Sequence, residues 1–294
     1  MKRMEQKMKE RIPRLNEIMK ESGYRLIYQE KVCNNIIKEG YLIEKIEESD
    51  GLGAGCVFYY NPEWYEMSDE KTCQFLLSHL SSDKLLQNFD INNLMSAKYI
   101  TSNVLPMIIG KQNLKDIANS GLCYITQDDF IILYYIRITQ SETGIDQEDI
   151  GHMKLTYKLI ERLHITSDEL HCVAFQNLNK AIEITSLYDL LKSSIPFPAP
   201  PEISQAYVVT NIYSVFGAAA ILSKTAYNIL SEYLGEKFLV LPSSIHECIA
   251  VPYDDHYINY ADIVSTVNKE MVSIEDRLTD HVYLYDMGKL TVIA

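Results

Sequence analysis

The feature that most constrains the fold is a run of seven apolar residues, Phe130–Ile136. Residues 122–126 precede it and are separated from it by the polar residues 127–129, which is the pattern of a β-hairpin. A strand without a polar face must be covered on both of its faces. We therefore expect Phe130–Ile136 to be the central strand of a sheet enclosed by other layers of the protein.

The rest of the chain mixes helical and strand patterns. Apolar residues at helical spacing predict helices at 2–21, 66–95, 146–163, from the capping box at 166–169 onward, at 223–234 and at 259–272. Extended patterns predict strands at 24–46, 56–60, 207–210, 217–222, 238–241 and 245–251, and a closing hairpin at 281–285 and 289–293. Short hairpins dominate, so the predicted class is α+β with largely antiparallel sheets covered by helices.

The best domain boundary is a proline-rich segment. The prolines are Pro196, Pro198, Pro200 and Pro201. Closely spaced prolines exclude a helix and favour an extended connector. The chain has 294 residues, enough for two modest domains. We expect an N-terminal α+β lobe at 1–195 and a C-terminal α+β lobe at 202–294, with the final hairpin in the C-terminal sheet.

Two stretches share a plan of extended segment, helix, glycine and hairpin. Aligned at the glycine without gaps, residues 121–139 lie beside residues 235–253, and the only identities are that glycine and the pair Ile131 and Ile245. The similarity is consistent with a weak internal duplication of a strand–helix–hairpin unit. In the second stretch, His246 and Glu247 take the place of an Ile-Leu pair in the first.

The candidate functional site is the turn and predicted strand that contain this ionisable pair. Its residues are Ser243, Ser244, His246, Glu247 and Asp254. Burying ionisable groups is costly unless they are paired, so the sequence must retain them for a reason. Two interpretations stay open. In the structural one, His246 donates to a backbone carbonyl or a carboxylate; in the functional one, it lines a cleft with Ser243, Ser244 or Asp254 within reach.

Metal-assisted hydrolysis is the alternative chemistry for this segment. His246 with Asp254, Asp255 or His256 offers ligand-type groups, which converge only if the chain after the strand curls back. A nucleophilic Cys248 would share a strand face with His246, but the spacing is too loose to guarantee a thiolate–imidazolium pair. The sequence indicates no bound metal and no cofactor.

Residues 51–55, with glycine at 51, 53 and 55, invite comparison with a phosphate-binding loop. A phosphate cradle needs a helix N-terminus directly after its glycines, whereas a strand is predicted here. The segment also lacks the Gly-Lys-Ser/Thr sequence of nucleotide-binding loops. We predict a hairpin turn instead.

Charge restricts the partners. The chain has 27 basic and 40 acidic residues, a formal charge of −13, so phosphate backbones and anionic lipid surfaces repel it. We expect no nucleic-acid binding and no membrane binding. Ser204–Ser223 carries no charge and is long enough to span a bilayer, but its polar residues and Gly217 favour buried strands.

The cysteines and the N-terminus indicate the compartment. None of the six cysteines forms a C-x-x-C pair, and most lie in apolar surroundings, as reduced thiols of the cytosol do. The first residues are too charged to lead into the apolar core of a signal peptide. We therefore expect a cytoplasmic protein.

Four segments of the C-terminal third carry a resemblance to a known family. They are Val208–Asn211, Gly217–Ala220, Leu241–Glu247 and Val282–Asp286. They resemble a family of uncharacterised proteins from Gram-positive anaerobes, chiefly gut bacteria, known only as a domain of unknown function. The match runs from about Asn34 to the end and is specific after Pro201, whereas 103–113 lacks the family's usual charged stretch. The resemblance implies a cytoplasmic bacterial protein, singles out the Leu241–Glu247 turn and supplies no mechanism.

No complete catalytic constellation occurs in the sequence. The acidic composition and the 21 tyrosines favour a soluble cytoplasmic binding or interaction module without catalysis, whose partner is an unknown protein or small molecule. The run Tyr253, Tyr257 and Tyr260 is a candidate recognition surface. The alternative is a metal-assisted hydrolase centred on His246 and Glu247.

Overall fold

The computed structural model describes residues 2–46, 56–82, 91–139, 149–192, 204–256 and 258–294. The chain divides into two compact units. Unit 1 comprises residues 1–92 and 139–150, and unit 2 comprises residues 93–138 and 151–294. The hairpin turn predicted at 51–55 and the extended connector predicted at the proline-rich segment 196–201 lie outside the described residues.

Unit 1 combines a long helix with a three-stranded antiparallel sheet of order β1-β2-β3. Its elements are α1 (Lys2–Lys20), β1 (Tyr24–Val32), β2 (Ile37–Lys45), β3 (Cys56–Tyr59), α2 (Pro62–Tyr65) and α3 (Asp69–Ser82). The apolar face of α1 is fully buried at Met8, Leu15 and Met19, where it packs with Trp64 and Leu76. The helix predicted at 2–21 is therefore present, and its apolar stripe packs into the core of unit 1.

One buried arginine fastens α1 inside unit 1. Arg11 donates to the Asp69 carboxylate at 2.8 Å, to the Tyr65 carbonyl at 2.6 Å and to the Thr72 hydroxyl at 3.0 Å. Arg14 donates to the other carboxylate oxygen of Asp69 at 2.7 Å. Burial alone would raise the pKa of Asp69, but the hydrogen bonds from Arg14 and Arg11 outweigh it and lower that pKa. Two basic residues of α1 are thus used within the fold.

The first sheet of unit 2 has the strand order β4-β6-β5, and β7 also pairs with β6. The strands are β4 (Val104–Gly110), β5 (Tyr124–Gln127), β6 (Phe130–Thr139) and β7 (Asp149–Lys154). The helices of this region are α4 (Ala97–Asn103), α5 (Leu114–Ala118), α6 (Tyr157–Arg162) and α7 (Ser167–Ala181), with 3₁₀ helices at Ile91–Met95 and Lys111–Asn113. Every residue of Phe130–Ile136 is at most 2% exposed, so the predicted central strand is confirmed.

The second sheet of unit 2 is antiparallel, with the strand order β13-β12-β10-β11-β9-β8. The strands are β8 (Ile182–Ser186), β9 (Tyr207–Asn211), β10 (Lys237–Pro242), β11 (Cys248–Pro252), β12 (Tyr283–Asp286) and β13 (Lys289–Val292). The helices are α8 (Leu187–Leu191), a 3₁₀ helix (Gly217–Leu222), α9 (Lys224–Leu234) and α10 (Ile258–Glu270).

Helices α9 and α10 contact adjacent residues of β10. Phe238 contacts Tyr227 of α9, with ring centroids 5.9 Å apart, whereas Leu239 belongs to the apolar cluster that includes Tyr260 of α10. Because successive strand residues point to opposite faces, the two helices cover opposite faces of this sheet.

The α+β class and the antiparallel sheets are confirmed, but three local predictions are wrong. Residues 217–222 form a 3₁₀ helix rather than a strand; these small residues pack against β4 and β9 instead of joining a ladder. Residues 149–154, predicted as helix, form β7, because pairing with the apolar β6 outweighs the local helical spacing. The strand predicted from Ile245 begins at Cys248.

The final hairpin lies in the same sheet as β10 and β11, as expected. This sheet takes strands from both sides of the proline-rich segment, since β8 precedes residues 193–203 and pairs with β9, which follows them. The division into lobes at 1–195 and 202–294 stays a prediction. In the described part of the chain, no helix combines the length and apolar character needed to cross a membrane.

Candidate functional site

The predicted site residues Ser243, Ser244, His246 and Glu247 lie in the five-residue loop 243–247 that joins β10 to β11. The Ser244 hydroxyl accepts hydrogen bonds from the backbone N–H groups of His246, at 3.0 Å, and Glu247, at 3.3 Å. The Ser244 N–H donates to the Glu247 carbonyl at 3.0 Å. Ser244 therefore closes the loop as a turn residue, with its hydroxyl engaged as an acceptor.

The His246 ring is fixed through both of its nitrogens. Its Nδ1 accepts the backbone N–H of Phe216 at 3.1 Å, and its Nε2 lies 3.3 Å from Asp276 Oδ1. A backbone N–H can only donate, so Nδ1 must be the acceptor and the ring proton must lie on Nε2, which donates it to Asp276. The imidazole is also stacked on the Phe216 ring, with centroids 5.4 Å apart.

Asp276 holds the loop by more than its contact with His246. Its backbone carbonyl accepts the Ile245 N–H at 2.7 Å, and its second carboxylate oxygen accepts the Ser273 hydroxyl at 2.7 Å. The His246 side chain is 33% exposed and the Asp276 side chain 39% exposed, so this pair lies at the protein surface. Exposed ion pairs of this kind contribute little to stability on their own. The hydrogen bond from the Ile245 N–H to the Asp276 carbonyl also holds the loop in place.

On its inner side, the loop 243–247 packs closely against β9 and the start of the 3₁₀ helix Gly217–Leu222. The Thr210 hydroxyl donates to the His246 carbonyl at 2.8 Å. A Cβ added to Gly217 would lie 2.6 Å from the Asn211 nitrogen and 2.8 Å from the His246 carbonyl oxygen. Both are backbone atoms, so the close approach of the three segments requires glycine at this position.

Residues 212–216, which follow β9, contain two left-handed non-glycine residues, Ser214 (φ +53°) and Phe216 (φ +54°). Such conformations cost about 1–2 kcal/mol each and persist only where the surroundings hold them. Fully buried Asn211 donates to the Val215 carbonyl at 2.8 Å, and the Tyr135 hydroxyl donates to the same carbonyl at 3.0 Å. With the bond from Phe216 to His246, these contacts fix the segment.

This geometry supports the structural interpretation of His246. A catalytic base needs a free lone pair within reach of a substrate, and the Nδ1 lone pair of His246 is occupied by the Phe216 N–H. The ring instead donates to a carboxylate, as the structural interpretation expects. His246 connects residues 212–216 to the segment that contains Asp276.

Asp254 lies apart from the other predicted site residues. It follows β11, whereas the loop 243–247 precedes that strand, and five strand residues extend over about 16 Å. The Asp254 carboxylate accepts the His256 backbone N–H at 2.8 Å and lies 3.0 Å from its Nδ1. These bonds to His256 lower the pKa of Asp254. Strand β11 therefore separates Asp254 from His246.

The two alternative chemistries gain no support from this arrangement. Across the described residues, no three His, Cys, Asp or Glu side chains come together as metal ligands. Cys248 is fully buried, and burial, followed by the nearby charge of Glu247, raises the pKa of its thiol. A buried, protonated thiol is a poor nucleophile.

A second surface, which sequence analysis only touched on, lies around α10. Tyr253, Asp254, Asp255, Tyr260 and Gln205 line a cleft of about 410 Å³. The tyrosine run pointed to this place, and two of its members line the cleft; Tyr257 lies outside the described residues.

The adjoining helix α10 exposes a row of apolar side chains. Ile263 is 54% exposed, Val267 40% and Met271, just after the helix, 80%. The four-residue spacing of the row was visible in the sequence, but the pattern alone does not show that the row faces solvent.

The comparisons with known proteins give a family but no function. A model described as "Family of unknown function (DUF5688)" matches residues 1–287. No curated protein and no solved structure matches the chain. Three of the four segments that carried the resemblance, those with Asn211, Gly217 and His246, meet in the loop contacts described above. The chain belongs to the family of unknown function DUF5688.

Proposed function

We propose that this protein is a cytoplasmic interaction module that binds a basic, amphipathic helical segment of a partner protein along α10. The observation that carries the proposal is the exposed row of Ile263, Val267 and Met271. Residues four apart lie on one side of a helix, so these side chains form a continuous stripe. Apolar stripes with this spacing are typical of the surfaces through which one helix packs against another.

The side of α10 next to the row is already occupied. Val264 is 6% exposed and Asn268 2% exposed, and Asn268 donates to the Thr279 carbonyl and to Asp280. The row itself stays exposed beside this packed side. An apolar side chain costs free energy in water, and covering Met271 alone is worth about 1.5–3 kcal/mol.

Charge complementarity supports a basic partner. Residues 254–280 contain seven acidic and two basic side chains, a formal charge of −5. Asp262 and Glu270 are exposed on α10 itself. A segment that carries Lys and Arg beside its apolar positions complements this surface, whereas nucleic acids and anionic lipids are repelled by it.

A cytoplasmic location in a bacterium belongs to the same proposal. Cys33, Cys73, Cys123, Cys172 and Cys248 are free thiols, which supports a reducing compartment. The bacterial origin is supported by the resemblance of the C-terminal segments.

Fluorescence anisotropy with the full chain tests the proposal. The probe is a labelled Leu–Lys model helix of about 15 residues, and its counterpart carries Glu in place of Lys. We expect binding of the basic helix only, weaker at high salt because the partner charges are screened. Met271→Glu should weaken binding about tenfold or more.

The matched control is Met287→Glu, since Met287 is 81% exposed and lies in the turn between β12 and β13. It should leave affinity unchanged. Equal binding of the basic and acidic helices, equal effects of the two methionine variants, or binding to anionic vesicles that Met271→Glu abolishes would contradict the proposal. Self-association through Met271, seen by sedimentation, would identify a second copy as the occupant and overturn it too.

A further inference from the structure

The geometry points to the cleft beside the first turn of α10 as the pocket that receives a lysine or arginine side chain of the partner segment. This inference rests on the proposed function and specifies what the segment must carry. Its walls combine two aromatic rings, Tyr253 and Tyr260, with two carboxylates, Asp254 and Asp255. Rings and carboxylates together are the groups that hold an organic cation.

The chemistry of the walls suits an ammonium or guanidinium group. The Lys237 ammonium lies 3.5 Å from the centroid of the Tyr253 ring, so this ring already carries a cation on one face. The Asp254 carboxylate accepts the His256 backbone N–H and lies beside the His256 imidazole. Asp255 is exposed. Both acids thus add negative charge beside the rings.

The cleft is also in the right place and of the right size. Tyr260 precedes Ile263 by three residues, so the side of α10 that lines the cleft continues into the apolar row. A partner helix that covers Ile263, Val267 and Met271 brings its next turn to the cleft. A volume of about 410 Å³ accommodates one long side chain together with water.

A small probe tests the cleft without the row. The experiment records NMR signals of ¹³C-labelled tyrosine rings in the full chain during titration with Nα-acetyl-lysine methylamide. Tyr253→Phe and Tyr260→Phe assign the two rings. We expect both ring signals to shift with a roughly millimolar dissociation constant, and Nα-acetyl-norleucine methylamide, which lacks the ammonium group, to cause no shift.

Variants identify the carboxylates. Asp254→Asn with Asp255→Asn should weaken lysine-probe binding about three- to tenfold, and Asp255→Asn alone, which leaves the His256 contacts intact, should give part of that loss. The matched control is Glu232→Gln on α9, another exposed acid, which should change nothing.

The outcomes separate this inference from the proposed function. Met271→Glu should not alter lysine-probe binding, because the small probe does not reach the row. Absent ring shifts, equal shifts with the norleucine probe, or unchanged affinity in the double variant would overturn the cleft assignment, even if the Leu–Lys helix still binds. Ring shifts without binding of the Leu–Lys helix would keep the cleft as a cation site and overturn the docking row.

Discussion

Two regions of unit 2 share one arrangement of three strands but differ in the length of the hairpin loop. One is β4 followed by the hairpin β5–β6, and the other is β9 followed by the hairpin β10–β11. In both, the first strand pairs with the second strand of the hairpin, which therefore becomes central. In both, a left-handed glycine precedes the hairpin, Gly121 with φ +74° and Gly235 with φ +82°.

The two hairpins differ in how they are closed. Asp128 and Asp129 join β5 to β6, whereas the five residues 243–247 join β10 to β11. The longer loop gives the second region its polar contacts with residues 212–216. A gapless alignment places His246 and Glu247 inside a strand, but the structure places them in the extra loop length. Polar groups here come from a longer connection and not from substitutions within a strand.

Each hairpin end is attached through a His–Asp pair to the segment between α10 and β12. The histidine lies on the hairpin in one pair and on that segment in the other. At the longer loop, His246 donates to Asp276. At the shorter turn, Asp129 accepts the Tyr283 hydroxyl at 3.1 Å and pairs with His281 Nδ1. We expect the loop contacts to matter more for stability, because His246 also accepts the backbone N–H of the left-handed Phe216, whereas His281 contacts a side chain.

The largest expected effect comes from adding a methyl group at Gly217. Gly217→Ala should lower the free energy of unfolding by about 2–3 kcal/mol, because the new Cβ would meet backbone atoms of Asn211 and His246. The matched variant in the first region is Gly110→Ala, whose nearest contacts would be with the Gln112 side chain rather than with backbone atoms. Urea unfolding of both variants measures the difference. Similar losses for the two would show that the second region is no more tightly packed than the first.

An intermediate effect is expected at the histidines of the two attachments. His246→Ala should cost about 1–3 kcal/mol, because it leaves the Phe216 N–H without its acceptor and removes a bond to Asp276. His281→Ala removes a contact of a side chain that is 51% exposed and should cost less than about 1 kcal/mol.

Thermal unfolding and urea titration of these two variants give the ranking. An unchanged melting temperature for His246→Ala would contradict the structural role of this residue and return it to the list of functional candidates.

Sequence patterns predicted those parts of the fold whose side chains report directly on burial. The run Phe130–Ile136 identified a central strand because apolar residues occupy both of its faces. The N-cap predicted at Thr166 was also correct, since its hydroxyl accepts the Glu169 N–H at 3.2 Å. By contrast, β4 and β8 were missed, and the small residues 217–222 were assigned to a strand. Such residues fit either state, and only the packing against β4 and β9 decides between them.

The candidate site was predicted in part for the same reason. The sequence identified His246 as an ionisable residue that needs a partner, and its hydrogen bond to a carboxylate matches that expectation. It did not identify Asp276 or Phe216, which lie 30 residues away in either direction and carry no local signal of pairing. The exposure of the α10 row was equally invisible, since an apolar residue at helical spacing is more often buried than exposed.

The smallest effect concerns pH and the face of β6 opposite to Tyr135. There, the Tyr134 hydroxyl lies 3.0 Å from His171 Nδ1 of α7. Burial lowers the pKa of His171, although the charge of Asp168 opposes the shift. Below about pH 6.5 the unfolded chain therefore takes up a proton that the folded chain resists, and stability falls until the folded pKa is passed. Above that range both states are neutral and the contribution of this group to the pH dependence vanishes.

His171→Gln should remove this acid-induced loss of stability. The difference in the free energy of unfolding between this variant and the wild type should therefore narrow as pH is lowered from about 7.5 to about 5.5. Tyr134→Phe, which retains His171, should keep the wild-type pH dependence. If both variants follow the wild-type curve, protonation of His171 does not contribute, and the first region is as insensitive to acid as its apolar strand suggests.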